Sequence, residues 1–338
     1  MKKIYLLIDN GHYFGHHLIY DKVNVNFVVN YFYKKNIDVK VLNLKDITNN
    51  VLKLEDSIVF TVSSQKPYHK FFLNDINEYL TLKGNILIPS NNMIKAHENK
   101  GFQELYKNII GIKSLNSIYC NYDTISYENI SQKFKYPLVL KKLDGSGSKG
   151  VQLIYNEHEL KESINKKVYD FKYRSARYVY EKLKNIFTNS TSEKLKYYSE
   201  YNNYIIQEFV PNLEFDYKVL IFGEKYYVLK RNIKKGDFRA SGSGNFEFVD
   251  IENDLLNYAN DLFNKFNEPF ISFDICFDGD KYYLIEYQGI HFGPYTQLFA
   301  DGYYYKVGNS WKFLNKRIQL DEVLASSLYL FMQNNKIL

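Results

Sequence analysis

Asp274, Glu286 and Gln288 place two carboxylates and a carboxamide within a short, otherwise apolar stretch of chain. They lie in Phe270-Ile271-Ser272-Phe273-Asp274-Ile275-Cys276-Phe277 and Tyr282-Tyr283-Leu284-Ile285-Glu286-Tyr287-Gln288, two runs that read as strands around the turn signal Asp278-Gly279-Asp280. The two-residue period of a strand puts Glu286 and Gln288 on one face. A connecting loop with an odd residue count, such as Gly279 to Lys281, brings Asp274 to that face as well, opposite or diagonal to Glu286. Carboxylates among Ile, Phe, Leu and Tyr are costly to bury unless a cation compensates them. Oxygen donors without His or Cys favour Mg²⁺ over zinc. The competing reading is a solvent-facing pair bridged to Lys or Arg.

A second chemistry-bearing stretch is Gly145-Ser146-Gly147-Ser148-Lys149-Gly150, which formally matches GxGxxG and the first positions of a P-loop. Both motifs need a helix directly after the glycines, so that its N-terminus meets phosphate. Val151-Gln152-Leu153-Ile154-Tyr155 reads instead as a strand, and neither motif holds. What remains is an antiparallel hairpin with Tyr136-Pro137-Leu138-Val139-Leu140-Lys141. Its glycine loop is either a flexible turn or a cover for polyphosphate, with Lys141 supplying the countercharge.

These groups need scaffolding, and the chain supplies it in two rhythms. Residues 3–9, 39–42, 57–62 and 85–89 read as strands alternating with helical stretches at 22–35 and 71–82, which implies a small parallel α/β domain over 1–90. From about 130 the strands recur as hairpins: 136–141 with 151–155, then 204–209, 217–222, 225–231, 270–277 and 281–288, an α+β arrangement of antiparallel sheets. The domains expected are 1–90, 91–205 and 206–338. Residues 157–200 are charged, Tyr-rich and helical in period, with a polar break at 188–192. Within them the stretch 161–200, carrying Arg174 and Arg177, reads as a lid, a homodimer face or a solvated charged surface.

Composition narrows the functional classes. The 338 residues are 45% hydrophobic and 24% charged, with net charge +6, which suits a folded chain that attracts a small anion and lacks the dense basic tract of a nucleic-acid arm. The 33 Tyr and 25 Phe accompany abundant Lys, Asn and Ile, residue types sharing A/T-rich codons, so the excess reads as ordinary filling and not as a base-stacking platform. Two cysteines, Cys120 and Cys276, exclude a disulfide scaffold and lean toward the cytoplasm. The apolar start stops at Asp9, short of the roughly 7–15 residues of a signal-peptide core. No run approaches the roughly 20 apolar residues of a membrane span.

The order of these pieces resembles the ATP-grasp superfamily. The resemblance rests on Pro137-Leu-Val-Leu-Lys141, the Gly/Ser loop, Tyr204-Ile-Ile-Gln-Glu208-Phe-Val-Pro211, Asp216-Tyr-Lys218-Val, Arg231, and Asp274 with Glu286-Tyr-Gln288. It runs from about Pro89 to Gln288. The upstream α/β domain and Asn99-Lys100 are similar to the glutathione synthetase, D-alanine–D-alanine ligase and ribosomal-protein-glutamate-ligase branches. The implied fold is α/β plus α+β, with two antiparallel-sheet subdomains enclosing ATP.

The resemblance also implies roles. Lys141 and Lys100 contact ATP phosphates, with Gly145, Ser146, Gly147, Ser148 and Gly150 closing above. Gln207, Glu208, Phe209 and Val210 read the adenine edge, and Glu214 takes the ribose hydroxyls. Asp274, Glu286 and Gln288 hold two Mg²⁺ ions, with Mn²⁺ as an alternative. Arg231, Lys218 and Arg239 neutralise the transferred phosphoryl group and an acyl phosphate. The reaction implied joins a small-molecule carboxylate to an amine or a thiol, with neither nucleic acid nor membrane as partner. A phosphotransferase on the same scaffold and a catalytically silent ATP-binding regulator are the rivals. The family usually ends its metal strand in Glu-x-Asn, so Gln288 is a departure, with one methylene more.

Other polar groups are less defined. His12, His16 and His17 cluster in the first loop, yet carboxylates that would complete a metal site are not at a defined spacing, and the resemblance implies instead that Asn10, His12 and His16 bind the acceptor. His291 follows the metal strand in Gly289-Ile290-His291-Phe292-Gly293-Pro294, where the resemblance implies a substrate-contacting loop, while the residue taken alone reads as a surface histidine. Phe238-Arg239-Ala240-Ser241-Gly242-Ser243-Gly244-Asn245 is either a mobile loop or a segment that closes over the acceptor.

Overall fold

Strands and helices alternate through the first third of the chain because apolar runs too short for helices are separated by capped, amphipathic segments. The structure is a computed structural model that describes residues 2–9, 13, 23–48, 54–122, 124–143, 150–164, 173–188, 203–240 and 242–338. The chain divides into two units, one formed by Met1–Ser114 with Pro211–Leu338 and the other by Leu115–Val210. The expected sites at Asn10, His12, His16, His17 and residues 145–148 lie outside the described residues.

The larger unit begins with β1 (Ile4–Ile8), α1 (Val25–Tyr33), β2 (Val39–Asn43), α2 (Leu44–Thr48), β3 (Ile58–Phe60), α3 (Pro67–Leu82), β4 (Ile86–Ile88), α4 (Asn91–Ala96) and α5 (Lys100–Ile109). The four strands pair in parallel in the order β2-β1-β3-β4. Near-continuous apolar strands such as Ile4-Tyr5-Leu6-Leu7 suit a sheet covered on both faces, and all four residues are buried. Asn24 caps α1 by accepting from Phe27 N at 3.1 Å, and Val28 and Phe32, one turn apart, are fully buried.

The smaller unit holds β5 (Ser117–Asn121), α6 (Tyr127–Lys133), β6 (Leu138–Lys142), β7 (Val151–Ile154), α7 (Glu157–Ile164), α8 (Tyr173–Thr188) and β8 (Asn203–Glu208). Its antiparallel sheet runs β5-β8-β6-β7. Leu138 and Leu140 of β6 join Tyr204 and Ile206 of β8 in the core with Ile130, Ile154 and Leu160. Alternation therefore sends Val139, Lys141, Ile205 and Gln207 to the other face. The strand directly after Gly150 bears out the exclusion of a P-loop and a dinucleotide fingerprint.

The larger unit resumes with β9 (Phe215–Phe222), β10 (Lys225–Asn232), β11 (Phe246–Glu247), α9 (Asn253–Phe266), β12 (Phe270–Phe277), β13 (Tyr282–Gln288), α10 (Tyr295–Phe299), β14 (Tyr303–Val307), β15 (Ser310–Leu314) and α11 (Leu320–Asn334). The sheet order is β13-β12-β9-β10-β14-β15, with β11 also on β10. One face buries Val219, Ile221, Phe273, Ile275 and Leu284 against Leu255, Leu256, Ala259, Leu262 and Phe266 of α9. The opposite face is split. Its apolar end, Leu220, Phe222, Tyr227 and Phe270, shares one core with Val323, Leu324 and Leu328 of α11 and with the parallel sheet. Its polar end carries Asp216, Lys218, Arg231, Asp274, Glu286 and Gln288. Among the described residues no helix is long and apolar enough to cross a membrane.

Glu268, just before β12, sits in the shared core at 4% exposure, and its Oε2 accepts from Ser90 N at 3.0 Å. Burial pushes its carboxyl up to about 7, against the opposing pull of Ser90. The unfolded chain gives up this proton near pH 4.5 while the folded chain keeps it to about 7, so the folded state binds the extra proton between those values. Stability is accordingly expected to fall as pH rises from about 4.5 to 7, by on the order of 3 kcal/mol, and to level off above. Chemical denaturation across that range tests this. Glu268→Gln flattens the slope, and an unchanged slope in that variant would reject the assignment.

Candidate active site

The polar end of the large sheet is assembled by register. Asp274 is the Cα partner of Lys218 on one side and Glu286 on the other, Ser272 of Gln288, and Asp216 of Arg231. The opposition of Asp274 and Glu286 arises by a route different from the odd loop expected. Phe277 pairs with Tyr282, leaving a connecting loop of even length, Asp278 to Lys281. Without a correction Asp274 would face Ile285, and Glu286 would point to the other side. A register shift between Asp274 and Ile275 leaves Ile285 as an extra residue, and this bulge turns Glu286 onto the Asp274 face.

Asp274 is also ion-paired. Lys218 Nζ donates to its Oδ1 at 2.9 Å, and Arg231 NH2 reaches its Oδ2 at 3.0 Å. The expected competitor, a carboxylate bridged to Lys and Arg, is thus realised in part. The setting differs, because Asp274 is 9% exposed and not solvent-facing. Burial works against its charge, but Arg231 and Lys218 outweigh it and hold the carboxyl below the ordinary range. Arg231 in turn donates from Nε to Asp216 Oδ1 at 2.6 Å and from NH2 to Asp216 Oδ2 at 2.7 Å. Burial is the larger effect and raises the Asp216 carboxyl above its ordinary range, with Arg231 opposing it. A guanidinium has only donors, so both Asp216 oxygens must accept, and the group is a carboxylate here. Asp216 was given no role by sequence, although alternation with Lys218 places it on this face.

Gln288 Nε2 lies 3.4 Å from Glu286 Oε1, while its Oε1 is buried without a hydrogen-bond partner. Ser272, directly across at 1% exposure, likewise has an unpartnered Oγ. Gly289 follows at a close approach, since a Cβ there would stand 2.4 Å from Met93 Sδ.

The other expected residues each have their own local surroundings. Arg239 is held locally, its Nε and NH2 donating to Asp237 at 2.8 and 3.0 Å. Lys100 opens α5 behind the cap Asn99 and is 8% exposed. Glu214 is exposed, and its carbonyl accepts from Ile233 N at 2.8 Å. In the smaller unit Lys141 Nζ donates to Gln207 Oε1 at 2.6 Å, and Gln207 Nε2 is buried without a partner. Glu208 Oε2 accepts from Asn116 Nδ2 at 3.1 Å, and Phe209 and Val210 follow the strand half-buried. Gly150, at φ +81°, meets Lys142, whose N donates to its carbonyl at 3.0 Å. His291 is not a surface residue. It is 8% exposed, its ring centroid 5.2 Å from that of His97, because the chain turns inward after β13 through a left-handed φ of 54°.

A further polar pair was not anticipated. In the parallel sheet the chain passes from β1 to β2 on one side and then to β3 and β4 on the other, so the order reverses between β1 and β3, where α/β sheets bind ligands at their C-terminal ends. Asp9, directly after β1, lies there with its Oδ2 2.7 Å from His69 Nε2 of α3.

No family model matches the sequence, and no curated protein matches it. Solved structures do. The D-alanine–D-alanine ligase of Bacillus anthracis complexed with ATP aligns with TM-score 0.54 and 11% identity over 100% of this chain and 99% of that one. The D-cycloserine synthetase DcsG aligns at 0.55 and 12% over 97% and 99%, and the macrocyclase MdnC of Microcystis aeruginosa, bound with precursor peptide MdnA, at 0.51 and 12% over 96% and 99%. The chain has the ATP-grasp fold. Its parallel sheet and two antiparallel sheets agree with the expected class, α/β plus α+β.

The donor set on the sheet fits a divalent cation. Asp274 and Glu286 offer carboxylate oxygens, and the orphaned Gln288 Oε1 offers a third hard donor on the same face. Among the described residues no group of three or more His, Cys, Asp or Glu gathers as a metal cluster, here or elsewhere.

Proposed function

We propose that this protein is an ATP-dependent carboxylate–amine ligase. The observation that carries the reading is the opposition of Asp274 and Glu286 beside Lys218 and Arg231 on one ATP-grasp sheet face, with an unpaired amide oxygen from Gln288. Three carboxylates and two cations in this cluster sum to one negative charge, so one divalent ion reverses its sign and suits it to a polyphosphate.

In this reading a substrate carboxylate oxygen attacks the γ-phosphorus of ATP, the bond from phosphorus to the bridging oxygen breaks, and ADP leaves. A bound amine then attacks the acyl carbon. A C–N bond forms, the C–O bond to phosphate breaks, and the amine proton departs with phosphate or solvent. The protein contributes position and fixed charge. Arg231, locked by Asp216, and Lys218 bear on the transferred phosphoryl group, with Arg239 as a further cation. Lys141, Lys100 and Gly145 to Gly150 serve the ATP phosphates, Gln207 to Val210 the adenine edge and Glu214 the ribose. Asp274, Glu286 and Gln288 would hold Mg²⁺, which when bound supplies charge neutralisation at the phosphates. Thiol acceptors fit the same chemistry. Cys120 and Cys276 are buried and not joined in a disulfide, which suits the cytoplasm.

Two rivals retain the fold: phosphoryl transfer to a hydroxyl or phosphate acceptor, and ATP binding without turnover. The second draws support from Asp274 having both oxygens already engaged. Incubation with MgATP and pools of carboxylates and amines, read by mass spectrometry, separates them. The ligase yields ADP and a new amide, the transferase ADP and a phosphorylated acceptor, and the silent binder unconsumed ATP.

A further inference from the structure

The polar face of the large sheet continues past Arg231 into a run of aromatic rings that the phosphate chemistry does not use. Phe246 of β11 is the Cα partner of Arg231 and shares its face, while Lys230, Asn232 and Glu247 bond together on the other. Tyr295 stands 5.7 Å from Phe246, centroid to centroid, and Phe299 lies 4.4 Å from Tyr295. These three rings are 40%, 43% and 50% exposed. Single exposed aromatics are ordinary, but touching ones mark a surface that binds something.

The shelf is also held in place. Tyr295 and Phe299 lie one turn apart on α10, which packs on β9 and β10, and its inward residues Thr296 and Gln297 are buried, with Gln297 Nε2 donating to Ile318 O at 2.7 Å.

We propose that Phe246, Tyr295 and Phe299 bind the apolar ring of the carboxylate substrate, so that the protein activates aryl-bearing carboxylates in preference to small aliphatic ones. The inference rests on the ligase reading above and names its substrate class. Charge complementarity selects the occupant, because the divalent ion that reverses the cluster's single negative charge makes the face beside the rings attract an anion. A carboxylate drawn to Lys218 and Arg231 has its remainder displaced sideways by about one strand spacing, roughly 4.8 Å, to lie over Phe246. Two methylene carbons between carboxyl and ring span that interval. A protein partner would use the rings but not the adjoining cations, and an adenine ring would use the rings without a carboxylate.

The test uses the full chain with Mg²⁺ and a non-hydrolysable ATP analogue, titrated calorimetrically with 3-phenylpropanoate and with propanoate, which carry the same charge. The parent is expected to bind the phenyl compound about tenfold more tightly, the magnitude of burying one ring between aromatic neighbours. Phe246→Ala with Tyr295→Ala brings the two ligands within about twofold, the scale of one weak contact. The exposed position of both rings leaves the fold intact, and Tyr295→Phe keeps the preference. Absence of a preference in the parent, or its survival in the double variant, overturns the proposal. So does a loss of analogue affinity in the double variant, which would assign the rings to adenine, or concentration-dependent self-association that the double variant abolishes. The ligase reading fails separately, if the analogue does not bind or binds the Asp274→Asn variant as well as the parent.

Discussion

Asp274→Asn is expected to lower Mg²⁺-dependent ATP turnover by at least about 100-fold, the scale on which removal of one preorganised charge-stabilising group is felt. Asp274 carries two duties at once. It offers a carboxylate opposite Glu286, and it neutralises Lys218 and Arg231 through separate oxygens. Asparagine keeps the shape, yet its amide presents one acceptor and one donor to two cations. The charge of the cluster then moves from one negative to zero, and a divalent ion meets one carboxylate instead of two. The Mg²⁺ concentration at half-maximal rate should rise along with the loss in rate, and Glu286→Gln should act in the same direction. Turnover measured against Mg²⁺ for parent and variants decides the point. A variant matching the parent in both rate and Mg²⁺ dependence would leave Asp274 a purely structural partner of its two cations.

Much of this site was legible because its strands alternate. Phe215-Asp216-Tyr217-Lys218 and Phe273-Asp274-Ile275 announce which residues leave the apolar face, and the structure places them there. The bulge was not legible. Ile285 is a β-branched apolar residue that suits a regular strand, and only pairing against β12 shows that it is the extra one. The right juxtaposition was therefore expected from a loop parity that the chain does not have. The hairpin of β14 and β15 carries a readable signal, Gly308-Asn309 between two five-residue strands with Gly308 at φ +59°. Its strands are largely exposed and lack the buried alternation that flagged the others. Helix α9 shows its period openly in Leu255, Leu256, Ala259, Leu262 and Phe266, yet only packing reveals that it covers the sheet behind Asp274. His291 illustrates the converse. Polarity alone suggests exposure, whereas the backbone turn after β13 decides its burial.

Arg231→Met should separate the structural work of the cation from its chemical work. The substitution leaves Asp216, 4% exposed and stripped of both its guanidinium bonds, as a buried carboxylate without compensation, while Asp274 retains Lys218. Breaking a buried pair from one side typically costs about 3–5 kcal/mol, so the denaturation midpoint should drop markedly. Replacing both partners is a different matter. Asp216→Leu with Arg231→Met exchanges the pair for apolar groups beside Leu229, two residues from Arg231 on the same face, which is commonly neutral or better. The double variant should thus recover most of the lost stability, with a coupling energy of up to about 3 kcal/mol in a double-mutant cycle. On the ligase reading activity should not return with it, because the charge proposed to bear on the phosphoryl group is gone from both variants, and turnover should stay about 100-fold or more below the parent. Urea midpoints and initial rates measured on the parent, Arg231→Met, Asp216→Leu and the double variant distinguish the outcomes. Recovery of rate together with stability would show that Arg231 serves only to hold the sheet, and failure of stability to recover would show that Asp216 has a stabilising partner besides Arg231.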